Sequence, residues 1–505
     1  MASTAPPSAA AALPAANGAL VVDHRRAWSA DEVWDTADRV ARLARAATDG
    51  GARRVAVFAE NAAESVVAHL GGLRSGASVV AVSSHLNAAD AAHLLRVGNV
   101  ALVVAGPQTE GAAREAALIA ERAGNLPCQV VVWDSEEWTE WLSMAAAGPP
   151  PDDLPIRPNL LFTSGTTGTP KATELPPNVF PRRDSWEAFV AGLTPNRFVG
   201  LGRHLVVAPL HHTGPLNAVR ALAAGTPIGV LPRFDALETL FAIEAWAIAS
   251  TTLVPTHLSR LLALPDAVRQ RADVSSLRLV FQTGSSCPLS VKRDMIDWWG
   301  PVLLEAYGAT EVGVTTSITS EDWLAHPGSV GRSVRPYEAL IADEAGIELP
   351  PDTEGLLCFR DSTGRGLVYY DDPERTAAAQ VAPGVFTLGE IGRIDANGWV
   401  YVTDRAADMV VTGGVNVYTA EMEQVLVSHP EVADVAGIGL PHADLGEHLV
   451  ALVVPTDIDA PPDGRELRAW CEERLSRFKC PREIRMVSSL NRNALGKLDK
   501  RALRA

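Results

Sequence analysis

The chain predicts an α/β protein with a large N-terminal domain of mostly parallel sheets and covering helices, followed by a small α+β C-terminal domain. Three observations carry this expectation. At 505 residues the chain is too long for a single core. Short apolar runs alternate with helix-like stretches over most of its length, which is the pattern of a parallel sheet with crossover helices. Near residue 400 this texture gives way to a compact alternation of helices and strands of about a hundred residues, enough for a small separate domain.

Taken in order, residues 1–18 are rich in Ala, Pro and Ser and read as a disordered leader without a basic segment. Ser29 with Glu32 three residues later forms a capping box, and Val33, Ala37, Val40 and Ala44 recur at helical spacing behind it. The runs Val55 to Phe58, Val79 to Val82 and Ala101 to Ala105 read as buried strands, separated by helical stretches near 62–75 and 88–96. Further strands are expected at Leu205 to Ala208, Thr252 to Val254 and Leu277 to Gln282. Beyond residue 400, a helix from Ala420 to Ser428 stops before Pro430. Apolar runs Val435 to Ile438 and Leu449 to Val454 follow, and a second helix from Arg465 to Arg477 ends before Pro481. No solenoid-type repeat is present.

Composition narrows the function. A net charge of -16 argues against a nucleic-acid or anionic-membrane partner and favours a small-molecule substrate. No apolar run reaches bilayer-spanning length, so membrane insertion is not expected. Cys128, Cys287, Cys358, Cys471 and Cys480 lack CxxC spacing, which disfavours a disulfide framework or a zinc site and points to a reducing, cytoplasmic setting. Only five of the 44 basic residues are lysine: Lys171, Lys292, Lys479, Lys497 and Lys500. In a chain that uses arginine by default, a retained lysine marks a place for a compact, mobile point charge.

The run Thr163-Ser164-Gly165-Thr166-Thr167-Gly168-Thr169-Pro170-Lys171 concentrates glycines, five hydroxyls and one lysine directly after an apolar segment. Glycines admit backbone N–H groups to an anion, hydroxyls donate further hydrogen bonds and the lysine supplies charge, so the run suits phosphate. It is not a Walker A loop, because Gly496-Lys497, the sole Gly-Lys pair, is followed by Leu498.

Four more segments follow in fixed order: Tyr307-Gly308-Ala309-Thr310-Glu311, Thr387-Leu388-Gly389-Glu390-Ile391-Gly392, Asp404-Arg405-Ala406-Ala407-Asp408 running into Gly413-Gly414-Val415-Asn416-Val417-Tyr418, and Asn493-Ala494-Leu495-Gly496-Lys497. Together with the hydroxyl-rich run they resemble the core motifs of the acyl-adenylate-forming enzymes, the family of acyl-CoA synthetases, peptide-synthetase adenylation domains and luciferases. The resemblance spans nearly the whole chain. It implies an N-terminal domain over 19–407 that binds adenylate and acid, and a mobile C-terminal domain over 408–505 turning about Asp408.

By this resemblance Thr163, Ser164, Gly165, Thr166, Thr167, Gly168 and Lys171 hold the β- and γ-phosphates of ATP. Thr310 binds the α-phosphate, and Glu311 ligates Mg²⁺, a hard cation that suits a carboxylate beside polyphosphate. Lys497 steadies the charge of the transition state, the leading candidate for a catalytic residue. Gly284, Ser285 and Ser286, with Glu305, Ala306 and Tyr307, correspond to the segments packed on adenine, and Glu390 and Arg405 to the ribose contacts. In Pro209-Leu210-His211-His212-Thr213-Gly214, His212 corresponds to the histidine lining the acyl pocket, with Gly308 on the same pocket. A paired histidine without Cys or His partners nearby is a poor metal site. Gly413 and Gly414 correspond to the thiol tunnel, where close backbone approach favours glycine. Three departures stand out: Glu390 replaces the usual Asp, Gly284-Ser285-Ser286 a usually Gly-Gly-Ala-like segment, and Ala172 the usual Gly, with the expectation that Ala172 strains a turn.

The implied reaction joins a small-molecule carboxylic acid to ATP, releases pyrophosphate and passes the acyl group to a thiol, CoA by first expectation. A stand-alone adenylation enzyme loading a separate carrier protein remains open, as does a non-catalytic nucleotide-binding homologue. The departures and the arginine-rich composition lean toward a specialised-metabolite acid.

Overall fold

The structure is a computed structural model that describes residues 13–504 except 51, 126, 164–170, 182, 344, 406–407, 413–414, 443–444, 491 and 493–497. It divides into two compact units. The first comprises Met1–Leu253, Ala263–Phe281 and Tyr369–Pro373, the second Val254–Leu262, Gln282–Val368 and Glu374–Ala505.

In the first unit the expected β–α alternation forms a six-stranded sheet in the order Gln129–Val132, Val100–Ala105, Arg54–Phe58, Val79–Val82, Leu160–Thr163, Lys171–Glu174. All neighbours are parallel except the last pair. Val55, Ala56 and Phe58 are fully buried, as the unbroken apolar run requires of a strand covered on both faces. The helix Ala30–Ala47 starts at the capping box read from the sequence: Ser29 Oγ accepts from Glu32 N at 3.2 Å, and Glu32 Oε2 from Ser29 N at 2.7 Å. Its buried face is Val33, Ala37, Val40 and Ala44. The helix Ala63–Arg74 packs against it through Gly71, where an added Cβ would lie 2.6 Å from Val40. A second parallel array holds Ile248–Leu253, Arg203–Val206, Ile228–Val230 and Val21–Asp23, edged by antiparallel Ala27–Trp28.

The second unit is antiparallel in most of its described strands. Leu303–Ala309 and Gly313–Thr319 form a hairpin. A separate sheet runs Tyr337–Ala342, Gly355–Asp361, Val385–Ile394, with Gln380–Ala382 and Val400–Arg405 both on the last. Toward the C-terminus, Val432–His442 and Gly446–Pro455 form a long antiparallel pair extended by Val410–Thr412 and by the parallel strand Glu483–Met486. The helices Thr419–Val427 and Gly464–Glu472 cover this sheet's core of Val435, Leu449, Ala451 and Val453. The second helix is shorter than its apolar pattern suggests, and a separate 3-10 turn takes up Arg477–Lys479.

The five cysteines are free and buried. Among the described residues no helix is long and apolar enough to cross a membrane.

Candidate active site

In the first unit, the hydroxyl-rich run is flanked by the antiparallel strands Leu160–Thr163 and Lys171–Glu174, with Thr163 opposite Lys171. Ser164, Gly165, Thr166, Thr167 and Gly168 lie outside the described residues. Lys171 Nζ sits 4.9 Å from the Tyr369 ring centre, and Tyr370 N donates to Ala172 O at 2.8 Å, so a segment distant in sequence braces this strand. Ala172 corrects the expectation of strain. It lies within the strand opposite Phe162, is 8% exposed and packs in the apolar core, so its methyl adds burial where no left-handed turn exists.

The segment Pro209–His212 leads into the helix Thr213–Ala223. Asn61 anchors it: its Oδ1 accepts from Leu210 N at 3.0 Å, and its Nδ2 donates to Ala208 O at 3.0 Å. His211 and His212 have ring centres 4.0 Å apart. Burial, reinforced by His85, pulls His211 down to about 4, and burial with the added influence of His211 pulls His69 down to about 3. Both are therefore neutral at physiological pH. Asn61 and His69 carry no motif, and only their eventual neighbours distinguish them.

In the second unit the Tyr-Gly-Ala-Thr-Glu motif folds as the end of the strand Leu303–Ala309 and the turn after it. Gly308 is required there, because a Cβ would meet Gly313 O at 2.0 Å. The turn is pinned by Tyr337 Oη donating to Val312 O at 2.7 Å and by Arg365 Nη1 donating to Glu311 O at 3.3 Å. Thr310 and Glu311 sit on it, with Glu311 only 7% exposed.

Tyr307 Oη donates to Glu390 Oε2 at 2.7 Å, which joins this motif to the strand Val385–Ile394. Glu390 is in register with Arg405, whose backbone is described and whose side chain is not. Gly284 adopts a φ of +104°, which favours glycine, at the start of Gly284-Ser285-Ser286. Glu305 and Ala306 are buried on the same strand as Tyr307. The Glu305 carboxylate is ion-paired with Lys292, itself 1% exposed and 4.8 Å from the Trp323 ring centre. That side chain is thus held by a core lysine.

Asp408 lies 3.7 Å from Arg504. Nearby, Asp404 Oδ2 accepts from Thr419 Oγ1 at 2.9 Å and from Ala420 N at 3.1 Å, while Lys500 Nζ reaches Thr419 Oγ1 at 2.6 Å and Glu423 at 2.7 Å. Gly413, Gly414 and Lys497 lie outside the described residues.

A parallel α/β unit with a hydroxyl-rich segment, joined in one chain to a unit carrying the Tyr307–Glu390 constellation, defines an enzyme of the acyl-adenylate-forming class. The chain belongs to the AMP-binding enzyme family: residues 8–369 match that family, and residues 421–497 match the AMP-binding enzyme C-terminal domain. It is 33% identical over 344 residues to an indoleacetate–CoA ligase of Aromatoleum aromaticum, a match covering 68% of this chain and 65% of that relative. It is 32% identical over 509 residues to a methyl-dioxo-octahydroindenyl propanoyl:CoA ligase of Mycobacterium tuberculosis, covering 96% of this chain and 95% of the relative. Among solved structures, ATP-bound MatB from Rhodopseudomonas palustris superposes with a TM-score of 0.79 at 27% identity, over 94% of this chain and 92% of the other.

Proposed function

We propose that the chain activates a carboxylic acid with ATP and then transfers the acyl group to the thiol of CoA. In the first step a carboxylate oxygen bonds to the α-phosphorus as the bond to the β-phosphate oxygen breaks and pyrophosphate leaves. In the second, a thiolate bonds to the acyl carbon and AMP departs. Both named relatives are CoA ligases, which favours CoA over a carrier protein. The observation that carries the reading is the Tyr307–Glu390 hydrogen bond, which brings two of the family's segments together.

The roles follow from the chemistry each step needs. Thr163, Lys171 and the residues 164–168 would hold the β- and γ-phosphates. Thr310 would donate to the α-phosphate, and Gly284, Ser285, Ser286, Glu305, Ala306 and Tyr307 would frame adenine, Glu305 by its backbone. Glu390 accepts from hydroxyl donors, as its bond with Tyr307 demonstrates, and would take the ribose hydroxyls with help from Arg405. His212 and Gly308 would bound the acyl group, with His211 neutral beside His212. Lys497 would steady charge in adenylation only. Residues 19–407 and 408–505 would be the two domains, Asp408 the hinge, and Gly413 and Gly414 the path of the thiol.

Glu311, a buried carboxylate directly after Thr310 in the chain, is an oxygen donor of the kind that fits Mg²⁺. When bound, the ion would neutralise phosphate charge. A reducing cytoplasm suits the five free cysteines. Indoleacetate and a polycyclic propanoate, named for two relatives, are consistent with a specialised acid.

Acid-dependent exchange of labelled pyrophosphate into ATP across a panel of acids, followed by CoA-dependent thioester formation, tests the reading. Exchange with at least one acid is expected. Nucleotide binding without exchange for any acid would leave a non-catalytic homologue.

A further inference from the structure

The helix Thr213–Ala223 is buried on nearly all sides, with Leu216, Ala218, Val219, Leu222 and Ala223 in the apolar core. One face is nevertheless polar. Thr213, Asn217 and Arg220 stand at i, i+4 and i+7 and share a stripe that begins directly after His212. Arg220 is 2% exposed. Its Nε donates to Asn217 Oδ1 at 3.1 Å, an oxygen that also accepts from Asn196 Nδ2 at 3.0 Å. Its guanidinium carbon lies 6.0 Å from the Phe180 ring centre.

No carboxylate among the described residues pairs with this guanidinium, and its Nη1 is buried with no hydrogen-bond partner. Burial alone draws Arg220 down to about 10, with no neighbouring acid raising it, so it remains a cation at neutral pH. A buried cation held without a counter-charge is costly. By contrast, Arg74 pairs with Asp38 at 2.7 Å, and Lys292 with Glu305.

We propose that Arg220 is a specificity residue that pairs with a second anionic oxygen group on the acid substrate, so that the preferred acids are dicarboxylic or equivalently charged at their far end. Asn217 fixes the Nε edge of the fork and leaves the Nη edge for a carboxylate, the planar partner a guanidinium fits best. The seven-residue spacing from Thr213 to Arg220 is about 10 Å along the helix axis, which places the second group well away from the reacting carboxylate. The inference rests on the acid-activating reading and adds to it the class of acid.

The test measures kcat/KM for pyrophosphate exchange with a graded series of alkyl and aryl dicarboxylic acids and with monocarboxylic acids of matched size. Wild-type protein should prefer the dicarboxylic acids of suitable length by about a hundredfold or more, since a site built for a charged group rejects the analogue lacking it. Arg220→Met should abolish that preference and keep activity toward the monocarboxylic acids, and Arg220→Lys should retain part of it. Equal use of both series by wild-type protein, or an equal loss on both in Arg220→Met, would overturn the proposal. If Arg220→Met does not fold, the wild-type preference alone decides. Failure of every acid to support exchange would instead sink the acid-activating reading.

Discussion

Tyr307 Oη and Glu390 Oε2 lie 2.7 Å apart, linking the strand that ends in the Tyr-Gly-Ala-Thr-Glu turn to the strand Val385–Ile394. The aspartate of the motif that this segment resembles would be one methylene shorter. The Glu390 carboxylate is thus engaged by a named local partner, which shortening the side chain would withdraw.

Glu390→Asp should accordingly weaken nucleotide binding. Withdrawing the carboxylate by one methylene lengthens the Tyr307 bond, worth about 1 kcal/mol or more where the acceptor is charged. The KM for ATP should rise about tenfold with a smaller change in kcat. A lower KM in the variant would mean that Glu390 is merely tolerated.

Glu311→Gln keeps shape and removes charge from a carboxylate that is 7% exposed on the turn. Adenylation should fall by about a hundredfold, the scale of losing one positioned electrostatic group, and should need more Mg²⁺ for half-maximal rate. Titrating Mg²⁺ against both proteins reads this directly. An unchanged metal dependence removes Glu311 from the metal site.

Lys292 and Glu305 form a pair in the core of the second unit, so breaking one side strands the other charge. Lys292→Met should cost about 3 kcal/mol or more in urea unfolding, and Lys292→Met with Glu305→Leu should recover most of it. Because the Glu305 carboxylate is engaged by Lys292, the double variant should keep its ATP affinity. A double variant as unstable as the single would show that the pair is not what the core requires.

His69 is buried and neutral, with a pKa lowered from 6.5 to about 3. Above 6.5 neither the folded nor the unfolded form is protonated there, and stability is fully present. As pH falls below 6.5 the unfolded chain takes up the proton first, so stability is lost progressively until about 3. Each pH unit in that window costs up to about 1.4 kcal/mol for this group. Urea unfolding at pH 7.5, 6 and 5 should show His69→Gln losing less stability than wild-type protein over the same interval. Parallel curves would place the acid sensitivity elsewhere.

Much of this was legible in the chain because it is local. The Ser29–Glu32 box and the helical spacing behind it needed only adjacent residues, and the buried runs at 55–58 and 79–82 announced covered strands. The Tyr-Gly-Ala-Thr-Glu segment was recognisable by its resemblance to a family motif, and the structure supplies a reason for its glycine: a Cβ at Gly308 would meet Gly313 O at 2.0 Å. What escaped depends on distant neighbours. Asn61 looks ordinary until Ala208 and Leu210 arrive across 147 and 149 residues. Lys292 reads as one of five scattered lysines until it meets Glu305, and Ala172 suggested strain because its place in a strand depends on pairing with Phe162. The antiparallel order of residues 303–455 was likewise not encoded by apolar runs, which look alike in either direction.

The central claim is that one chain runs two separable half-reactions, and Lys497→Ala tests it most directly. With the variant, acid-dependent pyrophosphate exchange should fall by several kcal/mol of transition-state stabilisation, on the order of the loss when a preorganised charge donor is removed. Given synthetic acyl-adenylate and CoA, the same variant should form thioester at close to the wild-type rate. Normal exchange in Lys497→Ala, or equal damage to both half-reactions, would contradict the account.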